Sequence, residues 1–122
     1  MLSSKELVKL AAEALDSKKG LKIRAIGISN ISILADYFVI AAGTSNTHIN
    51  ALADEVEFKI GQAGEKPRHV EGDGSAGWIL LDYGCVVVHV FQEKTREFYD
   101  LERLWQDGEP IDISEFLPNE NI

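Results

Sequence analysis

The sequence has little of what disulfide-bonded, membrane-spanning or secreted proteins need. It contains one cysteine, Cys85, which excludes an internal disulfide bond and fits a reducing compartment. No run approaches the roughly 18 uninterrupted apolar residues of a membrane span. The first residues lack the basic stretch and apolar core that together mark a secretory signal. We therefore expect a soluble, cytoplasmic protein.

Basic residues are also scarce, with 12 Lys and Arg against 20 Asp and Glu and a formal net charge of −8. Five of the acids follow Trp105, where the chain has no base. Proteins that bind nucleic acid by neutralising phosphates need clustered Lys and Arg, so the composition disfavours that class. An acidic body suits a basic protein partner, although ordinary solubility explains the charge equally well.

The hydrophobic pattern predicts a single-domain α/β (α+β) protein, because 122 residues suffice for one compact core and not for two ordinary domains. The predicted order is α-β-β-α-β-β-β-α, with a mixed five-stranded sheet flanked by helices. The helices are expected at 3–20, after the turn at 43–46, and at 95–104; the strands are expected at 21–28, 37–42, 68–70, 78–82 and 85–91. The second strand, the helix after it and the third strand should form a crossover that joins parallel strands.

Two segments are predicted to lack regular structure. A flexible glycine-rich loop is expected at 72–77, before the hairpin formed by the last two strands. Residues 106–122 hold two of the three prolines and no clear apolar period, which predicts an acidic, flexible tail.

The turn at Gly43-Thr44-Ser45-Asn46 is the first candidate for chemistry. Free backbone N–H groups at the start of a helix can bind an anion, as in the Gly-Ser turn of nucleotidyltransferases. Those enzymes also need two carboxylates on the following strand, and here the next acids fall within the predicted helix. An ordinary helix cap is the favoured interpretation.

The three histidines and Cys85 show no metal-ligand spacing, so no metal site or cofactor is predicted. His89 lies between two valines of a strand and faces away from both, which favours a core or sheet-face histidine over a ligand or a base. Cys85 is interpreted as a small strand residue. No nucleophile, base and acid form a recognisable catalytic arrangement, so we expect a protein that is not an enzyme.

A surface remains as the strongest functional prediction. Trp78, Leu80 and Asp82 alternate onto one face of the fourth strand, directly after the glycine-rich segment. Arg96 and Tyr99 follow the fifth strand, and Trp, Tyr and Arg are the residue types enriched at binding hot spots. A tryptophan buried in the core is the alternative.

Several segments together resemble the Iojap-like ribosomal silencing factors. They occur in the family's order and spacing, and with the first helix the resemblance covers about residues 3–105, which we take as the family domain. The segments are ADYFVI (35–40) with GTS (43–45), EG (71–72), WILLDYG (78–84), VVVHVF (86–91) and REFYDLERLW (96–105).

The resemblance implies a nucleotidyltransferase-like fold without activity and a partner on the large ribosomal subunit, universal large-subunit ribosomal protein fourteen, at the intersubunit face. Members of the family slow translation when nutrients are scarce by preventing subunit joining, and organellar relatives act in ribosome assembly. The family's interface tryptophan corresponds to Trp78. Further positions that we place on or beside the interface are Glu71, Asp82, His89, Arg96 and Tyr99.

Cys85 departs from the family, which usually has an aspartate after the Tyr-Gly turn. The loss of that carboxylate weakens a polar contact to a basic partner, or is neutral if the turn is solvated. Three alternatives stay open from sequence: a vestigial nucleotide-binding module, an assembly factor that uses the same docking site, and a homodimer formed through the sheet or the last helix.

Overall fold

A computed structural model of the chain describes residues 2–29, 35–93 and 109–111. Two helices and six strands follow one another along these residues. In chain order they are α1 (Ser4–Ser17), β1 (Leu21–Gly27), β2 (Tyr37–Gly43), α2 (Asn46–Gln62), β3 (His69–Asp73), β4 (Trp78–Asp82), β5 (Val86–Gln92) and β6 (Glu109–Ile111). The predicted helix at 95–104 lies outside the described residues.

The start of α1 confirms the local signal in the sequence. The Ser3 hydroxyl accepts a hydrogen bond from the Glu6 backbone N–H at 3.1 Å, and the Glu6 carboxylate accepts from the Ser3 N–H at 2.9 Å. These bonds hold the pKa of Glu6 below its usual value. The reciprocal pair satisfies two N–H groups that the helix leaves unbonded, which fixes where α1 begins.

The strands form one mixed sheet in the order β3-β4-β5-β2-β1-β6. β2 and β5 run parallel, and the other neighbouring pairs are antiparallel. The predicted crossover is present, because β3 runs parallel to β2 in the same sheet, but the two strands are not neighbours and β2 pairs with β5. β3 and β4 form a hairpin that extends the sheet outward beyond β5. After β2 the chain therefore passes through α2 to this edge of the sheet, and it returns to the centre with β5.

Both helices pack on one face of this sheet. Alternate strand residues Val39 and Ala41 of β2, and Val88 and Val90 of β5, are buried against them in the main apolar core. A second, smaller apolar cluster lies on the opposite face of the sheet. Its buried members are Ile26, Ile28, Ala35, Ile40 and Phe91. β2 and β5 are therefore buried on both faces, which accounts for their nearly continuous apolar sequences.

The sixth strand was not expected. β6 pairs antiparallel with the outer edge of β1, with Pro110 opposite Ile26, and the side chain of Ile111 packs against the main core. The prediction of a flexible tail is therefore wrong for residues 109–111, although the remainder of the segment lies outside the described residues. A proline is tolerated here because β6 is an edge strand, and an edge strand has positions whose backbone N–H donates no hydrogen bond to the sheet.

No helix in the described residues has the length and apolar character needed to cross a membrane.

Candidate docking surface

The register of three neighbouring strands brings four predicted site residues to one face of the sheet. Glu71 pairs with Leu80 and Leu80 pairs with His89, while Trp78 pairs with Phe91. Directly opposed residues share a face, and so do residues two apart on a strand. This face is turned away from both helices. We call it the Trp78 face, and its members on these three strands are His69, Glu71, Asp73, Trp78, Leu80, Asp82, Val87, His89 and Phe91.

Trp78 is half-buried on an aromatic base. Its ring is nearly parallel to that of Phe91, with centroids 6.2 Å apart, and to that of His89, with centroids 6.5 Å apart. The indole Nε1–H donates to Nδ1 of His89 at 3.5 Å, a long hydrogen bond. Trp78 is therefore neither fully buried in the core nor fully exposed, and its place at an interface stays a prediction.

His89 lies beneath the surface, with only 5% of the residue exposed. Burial lowers its pKa to about 4, so the imidazole is neutral at pH 7. Because Nδ1 accepts from Trp78, the ring proton belongs on Nε2, which is buried and has no hydrogen-bond partner among the described residues. His89 thus supports Trp78 from below. The described residues include no group of three metal-ligating side chains.

The three carboxylates of the Trp78 face differ in the groups that they contact. Asp73 accepts from the Ser75 hydroxyl at 2.6 Å and the Ala76 N–H at 3.0 Å, and these bonds lower its pKa. Asp82 accepts from the Gly84 N–H at 2.7 Å in the hairpin turn. Oε1 of Glu71 instead lies 3.0 Å from Nε2 of His69, and both side chains are about half exposed. Glu71 is the carboxylate that is not committed to a turn.

The segment before Trp78 is more ordered than predicted. β3 continues to Asp73, beyond the expected end at residue 70, and residues Gly74–Ala76 form a 3-10 turn capped by the Asp73 carboxylate. Gly72 has a φ of +81°, and a Cβ there would lie 2.1 Å from the carbonyl oxygen of Trp78. Only glycine permits that approach without strain, so Gly72 brings β3 against Trp78. Sequence reasoning assigned Gly72 to a flexible loop because a contact of this kind has no local pattern.

Two backbone amides of the Gly43 turn are already bonded within the protein. The Thr44 N–H donates to Nδ1 of His48 at 2.9 Å, and the His48 N–H donates to the Ser45 hydroxyl at 3.1 Å. Nε2 of His48 lies 2.9 Å from the carbonyl oxygen of Lys18, which ties α2 to the turn after α1. The turn is organised as a helix cap, in agreement with the favoured interpretation.

Cys85 serves the fold through its backbone. Its carbonyl oxygen accepts from the N–H groups of Asp36 at 2.7 Å and Tyr37 at 3.1 Å, and its side chain packs in part against the main core. The neighbouring Tyr83 is buried, which raises its pKa, and its hydroxyl has no partner among the described residues. Sequence reasoning did not single out Tyr83. The two remaining predicted site residues, Arg96 and Tyr99, lie outside the described residues.

Comparison with known proteins gives this geometry a family. A family model described as "Ribosomal silencing factor during starvation" matches residues 1–121. The chain belongs to this family. The match extends beyond residue 105, so the C-terminal segment is part of the family pattern, contrary to the expectation from sequence.

Several relatives of this chain are similar over most of its length, and some have solved structures. The chain is 38% identical over 112 residues to the ribosomal silencing factor RsfS of Bacillus subtilis, covering 92% of this chain and 95% of the relative. A crystal structure of a Chromobacterium violaceum protein superposes with a TM-score of 0.83 at 39% identity, covering 86% of this chain and 88% of that one. A mouse protein named for mitochondrial assembly of the ribosomal large subunit is 37% identical over 73 residues, covering 57% of this chain and 32% of the relative.

Proposed function

We propose that this silencing factor binds the large ribosomal subunit at its intersubunit face and sterically blocks association with the small subunit. On this proposal it represses translation when nutrients are limited. The partner is universal large-subunit ribosomal protein fourteen, and the contact is made by the Trp78 face. No chemical step is required, so the protein acts without being an enzyme.

The observation that carries the proposal is the half-buried Trp78 on its aromatic base. Tryptophan is the residue type most enriched among binding hot spots, because one side chain removes a large area from water. Stacking on Phe91 and the hydrogen bond to His89 restrict the ring before any partner arrives. A side chain that is already ordered loses less conformational entropy on binding, so more of its contact energy appears as affinity.

The charges around Trp78 support a basic protein partner. Glu71, Asp73 and Asp82 share its face, and Lys or Arg side chains of a partner can meet them at the rim of the contact. The whole chain is acidic, which also speeds encounter with a basic surface.

A role in assembly of the large subunit is a second candidate, favoured by the mouse relative and its name. It uses the same docking surface and differs only in when the protein binds. A nucleotide-binding module is disfavoured, because the Thr44 and His48 amides of the Gly43 turn are already bonded.

Co-sedimentation with separately purified large and small subunits tests the proposal. We expect recovery of the protein with large subunits alone, and no dependence on added ATP, CTP or Mg²⁺ beyond that needed to keep the subunits intact. Recovery with small subunits, or saturable nucleotide binding in calorimetry, would contradict it. Binding to mature subunits from translating cells separates silencing from a role confined to assembly intermediates.

A further inference from the structure

One edge of the sheet is open within the part of the chain that the structure describes. Among the described strands β3 pairs with β4 only, and all five residues of β3 are exposed. A strand in this position presents backbone N–H and C=O groups that have no partner within the sheet. The other edge of the five predicted strands is covered, because β6 pairs with β1 and places Pro110 there.

β3 lacks two of the residue types that usually prevent strand addition. Edge strands are commonly protected by lysine or proline, and the sequence of β3, HVEGD, contains neither. Val70, which belongs to the face opposite Trp78, is 43% exposed and is one of two large apolar side chains so exposed in the described residues. An open edge with an exposed valine is suited to a partner strand.

The charged side chains of β3 favour some partner strands at the open edge over others. Glu71 and Asp73 alternate on the Trp78 face, so a second copy of β3 paired antiparallel about Glu71 would place glutamate against glutamate. Like charges directly opposite one another destabilise a strand pair, whereas Lys or Arg at alternate positions stabilises it. The Glu71 side chain is about half exposed beside His69, so its carboxylate is accessible to a basic partner.

We propose that β3 accepts an extended basic segment of the docking partner as an additional strand, continuous with the Trp78 face. The proposal rests on the proposed function and specifies how the partner is held. Backbone hydrogen bonds to the edge supply affinity, and alternate basic side chains over Glu71 and Asp73 supply specificity. Asp73 pairs directly with Trp78, so a segment bonded to the outer edge of β3 lies two strands, roughly 10 Å, from the backbone of Trp78 in the same sheet.

Hydrogen exchange of the full chain tests this, measured alone and with saturating purified large subunits. We expect amides within His69–Asp73 to exchange at least about tenfold more slowly in the complex. Protection should fall on alternate residues, because only every second N–H of an edge strand points outward.

A pair of charge-reversal variants tests the choice of occupant. Glu71→Lys should weaken binding about fivefold and leave the melting temperature unchanged, because the side chain is exposed. Asp54→Lys makes the same change of charge on an exposed part of α2, on the other side of the sheet, and should change the affinity less than about twofold.

The outcomes separate this inference from the docking proposal. Binding without protection of β3, or equal loss of affinity in both variants, would overturn strand addition and leave docking intact. Protection of β3 that grows with protein concentration in the absence of subunits would identify a second copy as the occupant and overturn the basic segment. Failure to bind large subunits at all would overturn both.

Discussion

The indole Nε1 of Trp78 lies 3.5 Å from the imidazole Nδ1 of His89, which is a diagonal neighbour on the adjacent strand. This contact couples the accessible ring to a buried one. Phe91 extends the arrangement, because its ring is parallel to that of His89 to within 2°. Trp78 therefore packs on the second apolar cluster of the sheet. Substitutions in that cluster should alter the position of the Trp78 ring.

Replacement of Trp78 by alanine should weaken binding to the large subunit by at least about 2 kcal/mol, roughly thirtyfold, as expected of a hot spot. Because the ring is half-buried, a stability loss of about 1–2 kcal/mol should accompany it. Subunit titration and urea unfolding measure the two effects.

Phe58→Ala is the matched control, since Phe58 is an aromatic residue of α2 that is 60% exposed on the other side of the sheet. It should change neither quantity. If Trp78→Ala left the affinity intact and cost more than about 3 kcal/mol of stability, Trp78 would be a core residue and the interface assignment would fail.

The stability of the protein should fall at acid pH because of His89. Its pKa in the folded state is lowered to about 4 from an ordinary value of 6.5, so the unfolded chain takes up the proton first. The neutral ring's contribution is fully present above pH 6.5 and is lost as the pH falls toward 4. The loss should reach about 2 kcal/mol by pH 5.

Urea unfolding at pH 7.5 and pH 5.0 checks this, with His89→Phe as the variant that cannot titrate at this position. The two other histidines, His48 and His69, are present in both proteins, so the difference between their pH profiles isolates His89. An identical loss of stability in the variant would show that the acid sensitivity arises elsewhere.

Local signals in the sequence predicted most of the elements, and distant pairings were the main failure. The Ser3–Glu6 capping box and the alternation around Trp78 are patterns within a few residues, and both are present in the structure. The pairing of β2 with β5 joins residues far apart in the chain, and no local pattern distinguishes it from pairing with β3.

In the candidate site, too, local patterns were predicted from the sequence and contacts between strands were not. The shared face of Glu71, Trp78, Asp82 and His89 follows from strand register, which sequence reasoning anticipated only within single strands. The Trp78–His89 contact and the approach of Gly72 to the Trp78 carbonyl depend on how neighbouring strands are placed. Such contacts are products of the tertiary structure and were missed.

Gly72→Ala should destabilise the protein by about 2–4 kcal/mol, because it adds both an unfavourable positive φ and a clash with backbone. Gly64→Ala is the control, since Gly64 also has a positive φ, +101°, but has nothing within 4 Å of the position of the new Cβ. It should cost about 1 kcal/mol, from strain alone. Equal losses in thermal unfolding would mean that the close approach of Gly72 to Trp78 is relieved by a small shift and is unimportant for stability.

Ile111→Ala should lower the stability by about 1 kcal/mol, because this partly buried side chain attaches β6 to the main core. The amides of β1 that face β6 should also exchange faster with solvent, since the short strand would open more often. Unchanged unfolding and unchanged exchange would show that residues 109–111 behave as a flexible tail, as the sequence alone suggested.

The last prediction concerns the proposed mechanism of occlusion. A protein that acts by filling space does not turn over, so inhibition of subunit joining should require about one copy for each large subunit. The order of addition should matter, because the docking surface on the ribosome is covered once the subunits have joined. Rising salt should weaken the effect, since exposed charge pairs such as those expected at Glu71 are screened over about 8–10 Å at physiological ionic strength. Light scattering of subunit mixtures, titrated with the protein before and after joining, measures stoichiometry, order and salt dependence together.

Glu71→Lys provides the internal control, because a variant that has lost the charge contact should show a shallower salt dependence than the original chain. Inhibition at far below one copy for each subunit would instead indicate an enzyme that modifies the ribosome, and would overturn occlusion.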